Sequence, residues 1–341
     1  MTENKIFNKK MIIKNILLAI FIGLAVNIVF IFYSDFEKIK ETILYTKLSD
    51  FFIPFIIFIA VYIIEAIRLD IVLRSLGHKI TFKDAFTNSV INYLFTYITP
   101  LAMGGQPFQI YHLKMLGIKA RESTAMISSK FIEYQYTVIF LIVVFISKIK
   151  FIVNQEVLSY KVLLGGFTVT IIFSIFFTAL LVEPLLVIKI LKKFPKLKKK
   201  RILKLESWTM ELRENIAFLW KKNFFVMVID IILGILSLMI QSYTLYVVFS
   251  YKIQNFNLDF FTFFPLYLLV YLLVFYFPTP GSSGGLEAVY VLIYSSIFKN
   301  SSNVLISILI WRIATYYFQI VFGLIMLFLN KNLFFNQISE N

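Results

Sequence analysis

The sequence contains no cysteine and only two histidines, His78 and His112, among its 341 residues. Disulfides and thiolate metal centres are therefore excluded, and a histidine-based metal centre is not expected. The sequence also lacks a P-loop, a Rossmann fingerprint, a nucleophile elbow and a repeated acidic metal motif. We therefore predict no cofactor, no metal site and no catalytic residue.

Acidic residues are scarce, at 19 against 34 Lys and Arg. A net charge of +15 is compatible with nucleic-acid binding, but the mean hydropathy is +0.82 and 59% of the residues are hydrophobic. In so apolar a chain, excess positive charge is typical of lysines that face anionic lipid. We therefore do not expect nucleic acid as a direct partner.

Apolar runs long enough to cross about 30 Å of hydrocarbon recur along the chain. They predict an all-α, polytopic membrane protein, because their apolar residues are continuous rather than alternating. Six full spans are predicted at about 16–33, 51–73, 123–147, 160–182, 223–249 and 303–329. The first follows a lysine-rich start without a small-residue cleavage site, so it is predicted to stay uncleaved.

The segment 189–222 is the one long polar stretch, with twelve Lys or Arg against three Glu. Its apolar residues recur at three- and four-residue steps, which predicts a basic amphipathic helix on the membrane surface. The positions of Lys and Arg near the span ends place this connector and both termini in the cytoplasm, in a cell (plasma) membrane protein.

A Thr-Pro-x-x-x-Gly-Gly pattern occurs twice, at Thr99–Gly105 and at Thr279–Gly285, 180 residues apart. Each copy interrupts apolar sequence, and each is followed by a short helical pattern. Basic residues flank the first element on both sides, whereas the second has the sparse charge typical of the outer side. We therefore predict two re-entrant hairpins, near 82–118 and 260–298, that enter from opposite sides within an inverted repeat of 1–188 and 223–341.

The helix start after each Gly-Gly offers free N–H groups and a partial positive charge, a combination that suits phosphate. Two such starts facing each other predict an anion site near the bilayer centre; the alternative is that the breaks only kink packed helices. The predicted substrate-binding residues are Thr99, Gly104, Gly105, Gln109, Tyr111, Thr279, Ser282, Ser283, Gly284, Gly285 and Arg312.

Charged residues within apolar spans are costly, so they usually pair or line a pathway. Arg312, near the middle of the last span, is predicted either to bind phosphate or to pair with Glu287 or Glu133. Lys130 and Glu133 lie one helical turn apart, which allows them to pair with each other.

Among three further charged residues, Glu287 and Arg68 each have two interpretations, and Asp230 has one. Glu287 either caps the second short helix or has a gating or proton-coupling role. Arg68 is either an interfacial anchor that reaches the cytoplasm or a gating or ion-pair residue. Asp230, close to a predicted span end, is expected to touch water.

The stretch from Thr99 to Leu113, with Gly104-Gly105-Gln106-Pro107-Phe108-Gln109 at its centre, resembles the first motif of the lysylphosphatidylglycerol synthase transmembrane-region family. Pro278 through Ala288 resembles the second motif, and Arg68, Glu133 and Arg312 also match. The family often has arginine at the positions of Gln109 and Tyr134, and its glycine turn is spaced differently. These departures bear on the lipid carried more than on the fold.

The resemblance implies a flippase-like protein that moves an anionic phospholipid or a polyprenyl-phosphate-linked lipid. The alternative is a phosphatidylglycerol lysyltransferase-type or glycosyl-transfer component of lipid modification and cationic-peptide resistance. The longest polar segment, 189–222, is too short to fold an aminoacyltransferase domain, so a transporter is the expected class. A third hypothesis is a membrane subunit that anchors a separate soluble synthase. The sequence also leaves an oligomer open.

Overall fold

A computed structural model of the protein describes residues 44–100, 102–148, 157–182, 199–274, 277, 279–298 and 301–330, together with residues 17, 21 and 40. In chain order, its helices are α1 (Ser49–Ser75), α2 (Phe82–Ile98), α3 (Gly105–Met115), α4 (Ala120–Val144), α5 (Val157–Val182), α6 (Lys199–Lys222), α7 (Phe224–Lys252), α8 (Phe260–Val274), α9 (Gly285–Phe298), α10 (Ser301–Arg312) and α11 (Phe318–Leu329). A π-helical turn, Ile313–Tyr317, joins α10 to α11.

The predicted all-α class is confirmed for these residues. Three helical segments are both long and apolar enough to cross a membrane: Ala120–Val144, Phe224–Lys252 and Ser302–Leu329. The bounds of α1, α4, α5, α7 and the α10–α11 segment follow those of the second to sixth predicted spans within a few residues. The predicted first span apart from residues 17 and 21, residues 189–198 of the basic connector and both termini lie outside the described residues.

Local signals in the sequence explain where several helices begin and end. The Thr81 hydroxyl accepts a hydrogen bond from the Asp84 N–H (3.1 Å), which caps α2. After α1, Gly77 adopts a left-handed conformation (φ +85°), and its N–H bonds to the Arg74 carbonyl. Gly117 (φ +88°) ends α3 in the same manner. Both glycines therefore act as helix C-caps and turn the chain sharply.

α1 and α7 pack against each other as an antiparallel pair. At one end the Lys252 Nζ lies 2.6 Å from an Asp50 carboxylate oxygen, and further along α1 the Arg68 Nε lies 2.9 Å from Asp230. Residues near the start of α1 therefore contact residues near the end of α7, and residues later in α1 contact residues earlier in α7. With the 180-residue offset of the two breaks, the two helices occupy equivalent places in the sequence.

The hairpins α2–α3 and α8–α9 open at opposite ends of the helix bundle. One apolar cluster joins the start of α2 and the end of α3 to the starts of α4 and α7, and contains Ala85, Leu113, Met126 and Met227. The other joins the start of α8 and the end of α9 to the ends of α4 and α7, and contains Phe263, Tyr294, Ile142 and Val248. Each chain break therefore points inward from its own end.

α6, the described part of the basic connector, packs on the bundle. The Trp220 indole N–H donates to the Ser129 hydroxyl of α4 (2.7 Å), and Arg121 forms an ion pair with Glu211. Leu219 is buried among residues of α1, α4 and α7. The amphipathic pattern of α6 therefore supports its contact with α4. The position of α6 beside lipid stays a prediction.

Candidate functional site

The two sequence breaks, Thr99–Gly105 and Thr279–Gly285, meet in space. Pro100 and Pro280 form an isolated antiparallel β-bridge, although they are 180 residues apart. We refer to the two segments as the first break and the second break. Their contact brings the starts of α3 and α9 to the same region inside the bundle.

The two breaks also share one turn conformation. Ala102 and Ser282, at equivalent positions, both have a φ of +55°. Each donates its N–H to the threonine carbonyl three residues earlier, at 3.3 Å for Thr99 and 3.0 Å for Thr279. The next N–H in each break bonds to the proline carbonyl. A positive φ is strained for residues other than glycine. Because both Ala102 and Ser282 adopt it, the surroundings of each break must enforce this conformation.

Tyr316, in the π-helical turn, ties the breaks to the last span. Its hydroxyl lies 3.4 Å from the carbonyl oxygens of Pro280 and Tyr97, the latter on the helix that leads into the first break. A Cβ added to Gly281 would lie 2.2 Å from the Tyr316 ring, and Gly281 has a φ of +56°. Glycine is therefore required at position 281 for both space and conformation.

Arg312 lies beneath the second break and is only 3% exposed. Its Nε donates to Glu287 (2.7 Å), and its Nη2 donates to the Ser283 hydroxyl (3.1 Å) and to the Gly281 carbonyl (3.3 Å). The guanidinium also stacks over the Tyr316 ring, 4.1 Å from its centroid. Such a cation is stable in a dry interior because the carboxylate and the oxygen acceptors compensate its lost hydration.

Glu287 completes this arrangement from the first turn of α9. Its second carboxylate oxygen accepts the Gly284 N–H at 2.7 Å, so the side chain both neutralises Arg312 and caps the helix start. The residue is 1% exposed. The carboxylate therefore makes both the helix cap and the ion pair with Arg312 that the sequence allowed, and a gating or proton-coupling role for Glu287 stays a prediction.

A second group of buried charges, which we call the Arg68 cluster, joins α1, α4 and α7. Arg68 contacts Glu65 (2.9 Å), Glu133 (3.0 Å) and Asp230 (2.9 Å), and the Lys130 Nζ also lies 2.9 Å from Asp230. The guanidinium fits because α7 has Gly234 opposite it, where an added Cβ would lie 2.9 Å from Nη2. Three carboxylates thus surround two cations.

One cavity of about 210 Å³ connects these two groups of charges. Its walls include Arg312, Gly281 and Ser282 at one part and Arg68 and Lys130 at another. Amides, hydroxyls and aromatic rings supply most of the remaining surface, and the residues concerned are Asn92, Thr96, Gln106, Gln109, Gln241, Thr315, Phe58, Tyr93, Tyr97, Phe131, Tyr134, Tyr267, Tyr271 and Trp311. A cavity whose lining combines charged and polar groups with aromatic rings is a place where irregular backbone is tolerated at membrane depth.

The predicted site residues, with the exception of Tyr111, fall into two sets. Those that line the cavity are Gln109, Ser282, Arg312, Arg68 and Lys130. The others form hydrogen bonds or close packing within the breaks, or pair with the buried arginines. They are Thr99, Gly104, Gly105, Thr279, Ser283, Gly284, Gly285, Glu133 and Glu287. Tyr111 belongs to neither set, since it packs against an apolar cluster around Ile91 and Phe108.

Gly104 and Gly105 act by allowing close packing. A Cβ at position 104 would lie 2.7 Å from the Phe95 carbonyl, and one at position 105 would lie 2.3 Å from the Asn92 amide oxygen. The Thr99 hydroxyl donates to the Phe95 carbonyl (2.6 Å) and accepts the Gly104 N–H (2.8 Å). The first break therefore satisfies this N–H with a neutral hydroxyl.

Three expectations for single charges need correction. Arg68 is 3% exposed and turns into the bundle, so it is not an interfacial anchor. Asp230 is fully buried and does not touch water. Lys130 pairs with Asp230, and Glu133 with Arg68, instead of with each other. The cause is the same in each case: the Arg68 cluster forms between helices, where charges gain more from partners than from a long path to solvent.

The predicted set of site residues left out several polar residues that line the cavity, among them Glu65 and Gln106. Glu65 precedes Arg68 by three residues, a spacing that places both on one helical face, and this signal could have identified it. Gln106 follows directly on the first Gly-Gly. The aromatic lining carries no such signal, because tyrosines of this kind occur throughout the apolar helices.

Apolar helices long enough to cross a bilayer, with a cavity lined by buried charges where two interrupted helices meet, define a polytopic membrane protein. The chain belongs to the lysylphosphatidylglycerol synthase transmembrane-region family, whose model matches residues 17–323. The match covers both breaks, the Arg68 cluster and Arg312, and it indicates a membrane protein of lipid modification or transport. A comparison with curated proteins found no match.

Proposed function

We propose that this protein is a lipid transporter of the flippase type, which moves an anionic phospholipid or polyprenyl-phosphate-linked lipid across the membrane. The observation that carries the proposal is one cavity that both breaks, Arg312, Arg68 and Lys130 line together. Cations, amides and helix starts are groups that recognise phosphate and the polar substituents of a lipid headgroup.

The size of the cavity favours a headgroup rather than a whole lipid. At about 210 Å³ it is below the range of roughly 300–1,000 Å³ that encloses drug-sized ligands. The acyl or prenyl chains of the substrate would then remain in the surrounding lipid while the headgroup enters the bundle. This division requires room inside the bundle for the headgroup only.

The membrane arrangement that fits this proposal has both hairpins re-entrant and opposed. α3 and α9 are about 16 and 21 Å long at 1.5 Å per residue, too short to cross 30 Å of hydrocarbon. With six full spans and both termini in the cytoplasm of a plasma-membrane protein, the first hairpin enters from the cytoplasm and the second from outside. The halves 1–188 and 223–341 then form an inverted repeat about the anion site.

The test is translocation of fluorescent phosphatidylglycerol in proteoliposomes, read by quenching from one side. Arg312→Gln should reduce the rate at least tenfold, because it removes the cation at the second break. Arg74→Gln is the matched control: Arg74 lies at the exposed end of α1, outside the cavity. Equal rates for wild type and Arg312→Gln would contradict the proposal. Lysyl-lipid formed when the same preparation receives lysyl-tRNA would favour the enzymatic alternative instead.

A further inference from the structure

Glu287 holds the two groups at the second break that an anionic substrate would be expected to bind. Its carboxylate lies 2.7 Å from the Arg312 Nε with one oxygen and 2.7 Å from the Gly284 N–H with the other. These are a cation and a donor at a helix start, the two features that make the second break suitable for phosphate. Within the protein they are already satisfied.

The first break shows that the turn does not need a carboxylate. With the same φ at Ala102 and the same two backbone hydrogen bonds, it closes with the Gly104 N–H bonded to the Thr99 hydroxyl. The residue equivalent to Glu287 by the 180-residue offset is Pro107. The acid is therefore particular to the break that adjoins Arg312.

The positions of the two side chains relative to the cavity differ. Arg312 forms part of the cavity wall together with Gly281 and Ser282, whereas Glu287 does not line the cavity and contacts the guanidinium at Nε. A phosphate that enters the cavity meets a cation whose charge is already balanced. Adding a second anion to that pair leaves net negative charge in a region of low dielectric, which is unfavourable.

We propose that Glu287 is an internal anion that competes with the substrate's phosphate for Arg312, and that the headgroup binds by displacing it. The inference rests on the proposed function and specifies how its site discriminates. A ligand needs enough affinity to replace a carboxylate, so neutral and weakly anionic headgroups are rejected. On release, Glu287 returns to Arg312 and helps the phosphate to leave.

The ligand chemistry is a phosphate ester or a free phosphate, and the experiment separates the two. The protein is held in nanodiscs of zwitterionic lipid and titrated with short-chain phosphatidylglycerol, with inorganic phosphate, or with short-chain phosphatidylcholine as the neutral control. Trp311, which lines the cavity, reports binding by fluorescence in a Trp208→Phe/Trp220→Phe background. Tighter binding of the lipid than of phosphate identifies a headgroup site, and the reverse identifies a site for the free ion.

Glu287→Gln should bind the preferred phosphate probe roughly tenfold more tightly than wild type, which corresponds to about 1.4 kcal/mol. Translocation should fall in the same variant, because release is slowed. The matched control is Asp50→Asn, which removes another buried carboxylate from an ion pair, with Lys252, outside the cavity. Its affinity should equal that of wild type.

Glu287→Asp keeps the test decisive if the glutamine variant does not fold. It retains the charge, but one methylene less prevents the carboxylate from reaching both Arg312 and Gly284, so we expect about a threefold gain in affinity. Unchanged or weaker binding in the folded Glu287 variants, with binding lost in Arg312→Gln, would overturn the displacement and leave the proposed function standing. Binding that Arg312→Gln does not alter would overturn both.

Discussion

At the scale of single residues, the second break depends on a glycine that nothing else can replace. Gly281→Ala should be destabilised by about 1–3 kcal/mol through its positive φ alone. The contact of the new Cβ with the Tyr316 ring should add to this loss and displace the π-helical turn. Thermal unfolding in detergent should show the lowered melting temperature, and translocation should be lost.

Two other glycines separate the causes in this experiment. Gly77 has a φ of +85° but no atom within 4 Å of an added Cβ, and Gly165 in α5 has open space without the positive φ. Gly77→Ala should show the conformational loss alone, and Gly165→Ala should be neutral or slightly stabilising. If Gly281→Ala resembles Gly165→Ala in stability and in transport, the requirement stated for position 281 is wrong.

Asp230 is the second residue whose role is sharply defined, because two cations share it. Asp230→Asn leaves Arg68 and Lys130 with less compensation in a buried place, and we expect a loss of about 3–5 kcal/mol in the free energy of unfolding. The comparison is Asp70→Asn, which breaks a pair with the exposed Arg74 and should cost about 0–1 kcal/mol. Similar losses in the two variants, measured by denaturant unfolding, would show that burial does not govern the Arg68 cluster.

Among the helices and turns, the π-helical turn has the clearest consequence. Such turns usually carry one extra residue in an α-helix and often lie at functional sites. Here the turn follows Arg312 directly and contains Tyr316. Deleting Ala314 should restore a regular α-helix and keep the helical content by circular dichroism, but it should rotate Tyr316 away from the breaks and abolish translocation. Transport at the wild-type rate in this deletion would contradict the assigned role.

The helices were largely predictable, and the pairing of charges between them was not. Apolar runs ended by glycine, proline and capping residues such as Thr81 define α2, and the same reasoning located both breaks within a few residues. The sequence left the direction of Arg68 open, because that direction depends on Gly234, on a helix 166 positions further along the chain. A glycine in an apolar helix does not reveal which side chain will fill the space beside it.

On the scale of the whole molecule, the proposed topology can be tested directly, because the native chain has no cysteine to remove. Lys79→Cys and Lys119→Cys, at exposed positions that flank the first hairpin, should react with an impermeant thiol reagent only from the cytoplasmic side. Gln254→Cys, an exposed position between α7 and α8, should react only from outside. Labelling of all three positions from one side would exclude the opposed arrangement of the hairpins.

The bridge between Pro100 and Pro280 has a consequence for motion. The two hairpins enter the bundle from opposite ends and touch at the breaks. When one hairpin tilts relative to the other, the residues at the breaks therefore move little, and the residues at the outer ends move much further. Under the transport mechanism proposed above, the cavity could then open alternately to either face while the phosphate-binding groups stay almost fixed. The lipid headgroup would be held at the pivot, and the protein would swing around it.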